Sequence, residues 1–272
     1  MKEFLCISVY LFANVCYSQL IETNPESMGM SSERLERITE LSKEYINDFN
    51  IPGIVTIVSR KGKIVYYKAF GNRDVQGEDK LLKDDLFRIY SMTKPVTAVG
   101  IMQLYEQGKF SLNDPVSKFL PELEDLKVLN EDGELEPVST TMRMHHLLTH
   151  TAGFSYGFSN DKVDVQYSHP DLFLSENLDD FLNRVAKLPL KFQPGTRYNY
   201  SIAVDLTGLI IERLSGQSLD KYFSENIFKP LGMKDTFFQV PEDKINRFLT
   251  RYRYDQETKY PVEFPANPNQ AM

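Results

Sequence analysis

Ser91 and Lys94 follow the spacing Ser-x-x-Lys at the start of a strongly apolar stretch. In a helix, residues three apart lie on one face a turn from each other, so the lysine ammonium can reach the serine hydroxyl. A helix N-terminus favours developing negative charge, and burial shifts a lysine toward its neutral, basic form. Both effects promote attack on a carbonyl carbon, so the pair predicts a serine nucleophile with its base; the alternative is an ordinary helix cap.

Other serines compete for this role. Ser159 and Ser218 also begin Ser-x-x-Lys matches, but Ser159 lies in a polar loop and Ser218 is interpreted as the cap of an amphipathic helix. Ser155 is the centre of a G-x-S-x-G match, the nucleophile elbow, which requires a strand before the serine and a helix after it. A predicted helix ends just before Gly153 and an irregular loop follows, so Ser155 is interpreted as a turn residue.

His146 and His150 are four residues apart, as in zinc-binding helices, but no glutamate lies between them. The zincin pattern therefore fails, and we expect no metal site here. The pair is instead interpreted as a helix whose last histidine binds neighbouring backbone.

The elements around these residues predict a small sheet followed by a mostly helical block. A helical period begins after Ser32 and ends at Pro52, and two β-branched runs joined by a Lys-Gly turn predict a hairpin. The stretch 96–105 is apolar on nearly every side, which predicts a central helix buried all round. Further helices are predicted at 142–150, 178–188, 203–214 and 219–227, a turn at 130–133, a long loop at 154–174 and a strand at 252–260.

Composition and charge narrow the class of protein. The chain has 272 residues, enough for one large or two interlocked domains. Lys and Arg number 31 against 38 Asp and Glu, a net charge of −7. That balance lacks the basic excess that binding to phosphate backbones requires, so nucleic acid is not an expected partner.

The N-terminal segment predicts export. Residues 4–15 are almost entirely apolar, too few to span a bilayer but suited to a signal peptide. Cleavage of a signal at 1–18 before Gln19 would give a secreted or periplasmic protein without stable membrane insertion. A lipid-anchored or membrane-anchored start and a buried helix are the alternatives. Cys6 and Cys16 both lie in this segment, so no disulfide or cysteine nucleophile is expected in the mature chain.

Four motifs, found in order, resemble those of the serine β-lactamase-like superfamily, most closely the class C β-lactamases and their esterase relatives. The resemblance covers roughly Glu26 to Phe264. It implies that Ser91 is the acylated nucleophile, that Lys94 is the base, and that Tyr200 shares the proton transfer. The motifs are 87–95 (FRIYSMTKP), 147–153 (LLTHTAG), 194–201 (PGTRYNYS) and 230–233 (PLGM).

Two departures from the family pattern bear on function. The lactamase motif Tyr-x-Asn is replaced by Tyr200-Ser201-Ile202, which resembles the esterase branch. Ile202 is therefore predicted to line the substrate site without offering a hydrogen bond to an acylamino group. No Lys-x-Gly or His-x-Gly element follows Tyr200, so the resemblance implies a C-terminally truncated chain, with the remaining strands, a second oxyanion donor and a terminal helix beyond Met272.

The resemblance implies an α/β plus all-α architecture of the β-lactamase/DD-peptidase type, an antiparallel sheet flanked by helices. After the signal at 1–18, residues 19–85 begin the sheet domain, 86–234 form an inserted helical domain, and 235–272 begin an incomplete return. The expected reaction is metal-free, cofactor-free hydrolysis of a small-molecule ester or amide in the cleft between them. An ester hydrolase, a β-lactamase or D-Ala-D-Ala peptidase, and a non-catalytic relative or inactive fragment remain the three hypotheses.

Overall fold

A computed structural model describes residues 20–48 and 51–264 of the chain. The predicted signal peptide and both cysteines lie outside the described residues. Within those two ranges, no helix is long and apolar enough to cross a bilayer.

The first sheet is built around the predicted hairpin. Strand β2 (Gly53–Arg60) pairs antiparallel with β3 (Lys63–Gly71), and the short strand β1 (Ile21–Glu22) adds parallel to the other edge of β3. The connecting residues Lys61 and Gly62 both have positive φ, 49° and 70°. Two consecutive left-handed residues match the twist of the flanking strands in a tight hairpin. The hairpin predicted from the sequence is confirmed.

Helix α1 (Ser32–Asp48) packs against β3. Leu35 is buried in this contact, and the Thr39 hydroxyl lies 2.9 Å from the Tyr66 hydroxyl in a buried hydrogen bond. Leu41, which the apolar period placed on the same face, is exposed instead. The face of α1 that packs against the sheet is therefore narrower than the face that the apolar spacing of its sequence predicted.

The helical block surrounds two long helices, α2 (Thr93–Glu106) and α6 (Ala203–Ser215), which pack against each other. The prediction that α2 is buried on every side is wrong, because Val99 and Tyr105 are 49% and 40% exposed. Only one side of the helix, which includes Ile101, enters the core. The other helices are α3 (Met144–Leu148), α4 (Asp164–Tyr167), α5 (Leu178–Val185) and α7 (Leu219–Phe223), and α7 continues into a π turn over Ser224–Phe228.

Two small hairpins complete the described structure. Strands β4 (Lys127–Leu129) and β5 (Leu135–Pro137) flank the predicted turn at 130–133, which is confirmed. The prediction of a single strand at 252–260 is wrong, because the structure has two strands joined by a turn. Residues 256–259 turn the chain, with Lys259 at a φ of 55°, so that β6 (Tyr252–Asp255) pairs antiparallel with β7 (Tyr260–Glu263).

Candidate active site

Ser91 lies in a short 3-10 helix, Tyr90–Met92, that runs directly into α2. Its side chain is exposed, as a nucleophile must be. The preceding Tyr90 has a φ of 43°, a left-handed conformation that is strained for a bulky residue. Arg251 donates a hydrogen bond to the Tyr90 hydroxyl over 3.3 Å. Such strain persists only where surrounding contacts impose it, and it is common at functional sites.

The three predicted catalytic residues meet at the Ser91 hydroxyl. The Tyr200 hydroxyl donates to Ser91 Oγ over 2.5 Å, and Lys94 Nζ donates to the same oxygen over 3.4 Å. Lys94 Nζ also lies 4.9 Å from the centre of the Tyr200 ring. The structure therefore brings a serine, a lysine and a tyrosine from two distant segments into one hydrogen-bonded group.

The environment of Tyr200 makes its proton easier to remove. Burial by itself raises the pKa of the phenol, but hydrogen bonds with Ser91 and Lys94, together with the lysine's charge, outweigh it and lower the pKa. A phenol that ionises more readily can exchange a proton with the adjacent serine hydroxyl.

Two further residues, not singled out from the sequence, hold Lys94. Lys94 Nζ donates to the Tyr156 hydroxyl over 2.9 Å, and Tyr156 in turn donates to Asp205 Oδ2 over 2.6 Å. Burial, followed by the charge of Asp205, raises the pKa of Tyr156, so this phenol stays protonated. Part of the Asp205 side chain contacts solvent, yet the protein around its carboxylate desolvates it and raises its pKa.

The segment carrying Tyr200 is fixed by the chain that follows α3. Asn199 donates its backbone N–H to the His150 carbonyl and its side-chain amide to the Phe154 carbonyl, each over 2.8 Å. The Ser201 N–H donates to His150 Nδ1 over 3.2 Å. The prediction that the last histidine binds neighbouring backbone is confirmed.

The serines that compete with Ser91 for the role of nucleophile lie in positions with a structural role. Ser155 is buried and donates a hydrogen bond to Asp164, while its oxygen accepts the Gly157 N–H over 3.1 Å. The interpretation of Ser155 as a turn residue is confirmed. Ser159 also donates to Asp164, over 2.6 Å. Ser218 precedes α7 as predicted, although its side chain makes no capping hydrogen bond.

Ile202 does not lie where the sequence placed it. Its side chain is 0% exposed and belongs to the main hydrophobic core. The chain enters α6 at the next residue, and at this point the apolar side chain packs inward among core residues. The prediction that Ile202 contacts the substrate is therefore corrected, because a fully buried side chain cannot touch one.

A stability measurement checks this correction. Ile202→Ala is expected to lower the free energy of unfolding by about 2–5 kcal/mol, since it removes buried methyl groups and leaves a cavity. Urea unfolding measures the change. Leu135→Ala, at an exposed residue of β5, is the control and should change stability by less than about 0.5 kcal/mol. A loss at Ile202 no larger than the control's would place this side chain outside the core.

Metal chemistry has no candidate ligand set in the described parts of the chain. Among residues 20–48 and 51–264, no three or more His, Cys, Asp or Glu side chains are arranged to hold a metal ion. His146 and His150, the pair with ligand-like spacing, each accept a backbone N–H at Nδ1 instead.

Comparison with known proteins identifies similar chains. The family model "Beta-lactamase" matches residues 38–271. Esterase EstB of Burkholderia gladioli is 34% identical over 241 residues, covering 86% of this chain and 58% of EstB. A putative D-alanyl-D-alanine carboxypeptidase of Salmonella typhimurium is 30% identical over 246 residues, covering 86% of this chain and 54% of the relative.

A solved structure has the same fold. EstCE1, described as a hydrolase with promiscuous acyltransferase activity, superposes with a TM-score of 0.72 at 27% identity. The match covers 89% of this chain and 60% of EstCE1. The chain thus spans little more than half the length of the relatives it matches.

Proposed function

This chain belongs to the Beta-lactamase family and has its fold, and from that membership we propose that it is a serine hydrolase that cleaves carboxylic esters through an acyl-enzyme on Ser91. The observation that carries the proposal is the shared hydrogen bonding at Ser91 Oγ, where Tyr200 lies at 2.5 Å and Lys94 at 3.4 Å. A nucleophile needs a proton acceptor within hydrogen-bond reach, and Tyr200 meets that requirement.

We assign the immediate proton transfer to Tyr200 because it lies nearer to Ser91 than Lys94 does. With Tyr200 ionised, its oxygen takes the Ser91 proton as Oγ bonds to the ester carbonyl carbon. The tetrahedral intermediate expels the alcohol oxygen, which receives that proton and leaves. Water then attacks the acyl-enzyme and gives a proton to Tyr200, Ser91 Oγ leaves the carbonyl carbon and is reprotonated, and the carboxylic acid departs.

Lys94 supports this cycle by its charge and position. Its ammonium is held between the Ser91 hydroxyl, the Tyr156 hydroxyl and the face of the Tyr200 ring. A fixed positive charge beside Tyr200 stabilises the phenolate that must form during the reaction. Asp205 completes the arrangement by accepting a hydrogen bond from the Tyr156 hydroxyl, and the oxygen of that hydroxyl in turn accepts a hydrogen bond from Lys94.

Esters are favoured over β-lactams by two features. EstB, at 34% identity, is named an esterase. Phe158, 78% exposed, stacks on Tyr156 at 5.4 Å and gives the site an apolar border. A D-Ala-D-Ala peptidase is the second candidate, supported by the Salmonella relative at 30% identity.

Active-site labelling tests the proposal. A fluorophosphonate should label Ser91 covalently, because among the serines of residues 20–48 and 51–264 it alone has both Lys94 and Tyr200 as hydrogen-bond partners. Peptide mapping by mass spectrometry locates the label. A chromogenic short-chain ester and a chromogenic cephalosporin, assayed side by side, then separate esterase from lactamase activity.

The labelling and turnover results separate an esterase, a β-lactamase and a non-catalytic protein. A label on Ser155 would contradict the mechanism, and cephalosporin turnover without ester cleavage would contradict the substrate class. No label and no turnover with either substrate would favour a non-catalytic protein.

We also propose that the chain is exported, on the strength of the apolar run at 4–15. N-terminal sequencing of the protein recovered from its native cells tests this. A mature chain beginning at Gln19 would support export, and one beginning at Met1 would contradict cleavage.

A further inference from the structure

His150 touches the proposed catalytic group through both its ring and its backbone. Its ring centre lies 4.7 Å from that of Tyr200, tilted by 40°, while Tyr156 packs on Tyr200 at 5.5 Å. The backbone carbonyl of His150 accepts the Asn199 N–H on one side of Tyr200, and its Nδ1 accepts the Ser201 N–H on the other. The position of Tyr200 therefore depends on this one histidine at two points of the main chain and at the ring face.

The hydrogen bond from Ser201 fixes the protonation state of the imidazole. A backbone N–H can only donate, so Nδ1 must carry no proton, and the neutral ring holds its proton on Nε2. If the ring gained a second proton, two donors would face each other across 3.2 Å and the bond from the Ser201 N–H would be lost. Nδ1 would then turn to its other neighbour, the Ser201 hydroxyl oxygen at 3.4 Å, and the backbone N–H would be left without its acceptor.

The groups around His150 also favour the neutral form of its imidazole. Lys94 faces it from α2, and the phenols of Tyr198 and Tyr200 face it from the segment before α6. Burial, together with the positive charge of Lys94, lowers the pKa of His150. The neutral state is thus favoured near neutral pH, and protonation requires a pH below the range in which an ordinary imidazole titrates.

We propose that His150 is a positioning residue that holds Tyr200 against Ser91 only while its imidazole is neutral, so that acidification switches the site off. This inference rests on the proposed function, since the switched step is proton transfer at Ser91. Protonation breaks the bond from the Ser201 N–H and releases the backbone next to Tyr200. The 2.5 Å contact between Tyr200 and Ser91 Oγ is then lost together with its proton transfer.

The test compares the unchanged protein with His150→Asn from pH 4.5 to pH 8. Asparagine tolerates the left-handed backbone of this position, where φ is 55°, and its carbonyl oxygen can accept the Ser201 N–H without ever titrating. The second-order rate of fluorophosphonate labelling is measured for both. The ratio of the two rates, unchanged protein to variant, should be constant above the His150 pKa and fall about tenfold for each pH unit below it.

His146→Asn is the matched control. His146 also accepts a backbone N–H at Nδ1, from Arg143 over 3.1 Å, and burial lowers its pKa as well. No ring contact joins it to Tyr200 among the described residues, where it packs instead on His145. The same ratio measured against His146→Asn should therefore stay constant over the whole pH range.

NMR of the unchanged protein gives a measurement that needs no variant. The ring nitrogens of His150 should report an unprotonated Nδ1 at pH 8, and its titration midpoint should coincide with the bend in the labelling rate. A protonated Nδ1 at pH 8, a midpoint away from the bend, or a pH-independent rate ratio would each overturn the proposal. If the unchanged protein does not label at any pH, the proposed function itself fails, which is a different outcome.

Discussion

Replacing Ser91 by alanine is expected to lower ester turnover on the order of 10⁶-fold, the scale measured when a serine hydrolase loses its nucleophile. The hydroxyl at which Tyr200 and Lys94 converge is the atom that bonds to the substrate, so no neighbouring group can replace it. Steady-state turnover of a chromogenic ester measures the loss. Because Ser91 is exposed, urea unfolding should change by less than about 0.5 kcal/mol.

Ser155→Ala is the control for this variant. Ser155 donates a buried hydrogen bond to Asp164, so its loss should reduce the free energy of unfolding by about 1–3 kcal/mol while the folded protein keeps its turnover. Asp164 retains Lys191 at 2.8 Å, which limits the damage. Substantial ester turnover by Ser91→Ala would exclude Ser91 as the nucleophile, and loss of turnover in folded Ser155→Ala would contradict the purely structural role of Ser155.

The parts of the fold and site that the sequence predicted rest on local signals. The hairpin turn depends on Lys61 and Gly62 alone, whose left-handed conformations close a two-residue turn. The pairing of Ser91 with Lys94 depends on spacing of three residues at a helix start. Tyr200 was placed by resemblance to a family motif, and its contact with Ser91, 109 residues away, is a fact of the fold.

The missed features depend on contacts between distant segments. Tyr156 and Asp205 lie 49 residues apart, and no spacing rule relates a loop tyrosine to an aspartate in the first helical turn of α6. The error at Ile202 has a related cause. The residue two positions after Tyr200 was placed in the cleft with it, whereas the turn into α6 directs its side chain into the core.

The apolar composition of α2 also led to a prediction of more burial than the helix has in the structure. Val99 is as apolar as its buried neighbours, yet it is 49% exposed because the core contacts only one side of the helix. Hydrophobic residues are often exposed, so an apolar stretch predicts burial less reliably than it predicts a helix.

Lys94 and Tyr200 are expected to act together on one proton transfer at Ser91. Lys94→Met, which keeps most of the side-chain stem, and Tyr200→Phe, which removes only the hydroxyl, should each lower ester turnover about 10²-fold to 10⁴-fold. Both groups serve one proton transfer at Ser91 Oγ, with Lys94 stabilising the phenolate that Tyr200 forms. The double variant should therefore be no more than about tenfold slower than the slower single variant, because groups that act as a unit lose their effect together.

The double-mutant cycle is measured by ester turnover, with Lys118→Met as the matched lysine control. Lys118 pairs with Asp114 over 2.9 Å and lies over the Phe119 ring at 5.2 Å. Lys118→Met therefore also removes a lysine charge and a ring contact, but at a residue that does not touch Ser91. The Lys118→Met variant should turn over the ester at the unchanged rate. Combined with Tyr200→Phe, it should be as slow as Tyr200→Phe alone, because the two sites are independent. If the losses from Lys94→Met and Tyr200→Phe multiply, the two residues act in separate steps. Near-normal turnover in Tyr200→Phe would remove Tyr200 from the proton path, and near-normal turnover in Lys94→Met would contradict the stabilisation of the phenolate by Lys94. The 2.5 Å contact of Tyr200 with Ser91 makes Tyr200→Phe the more demanding test.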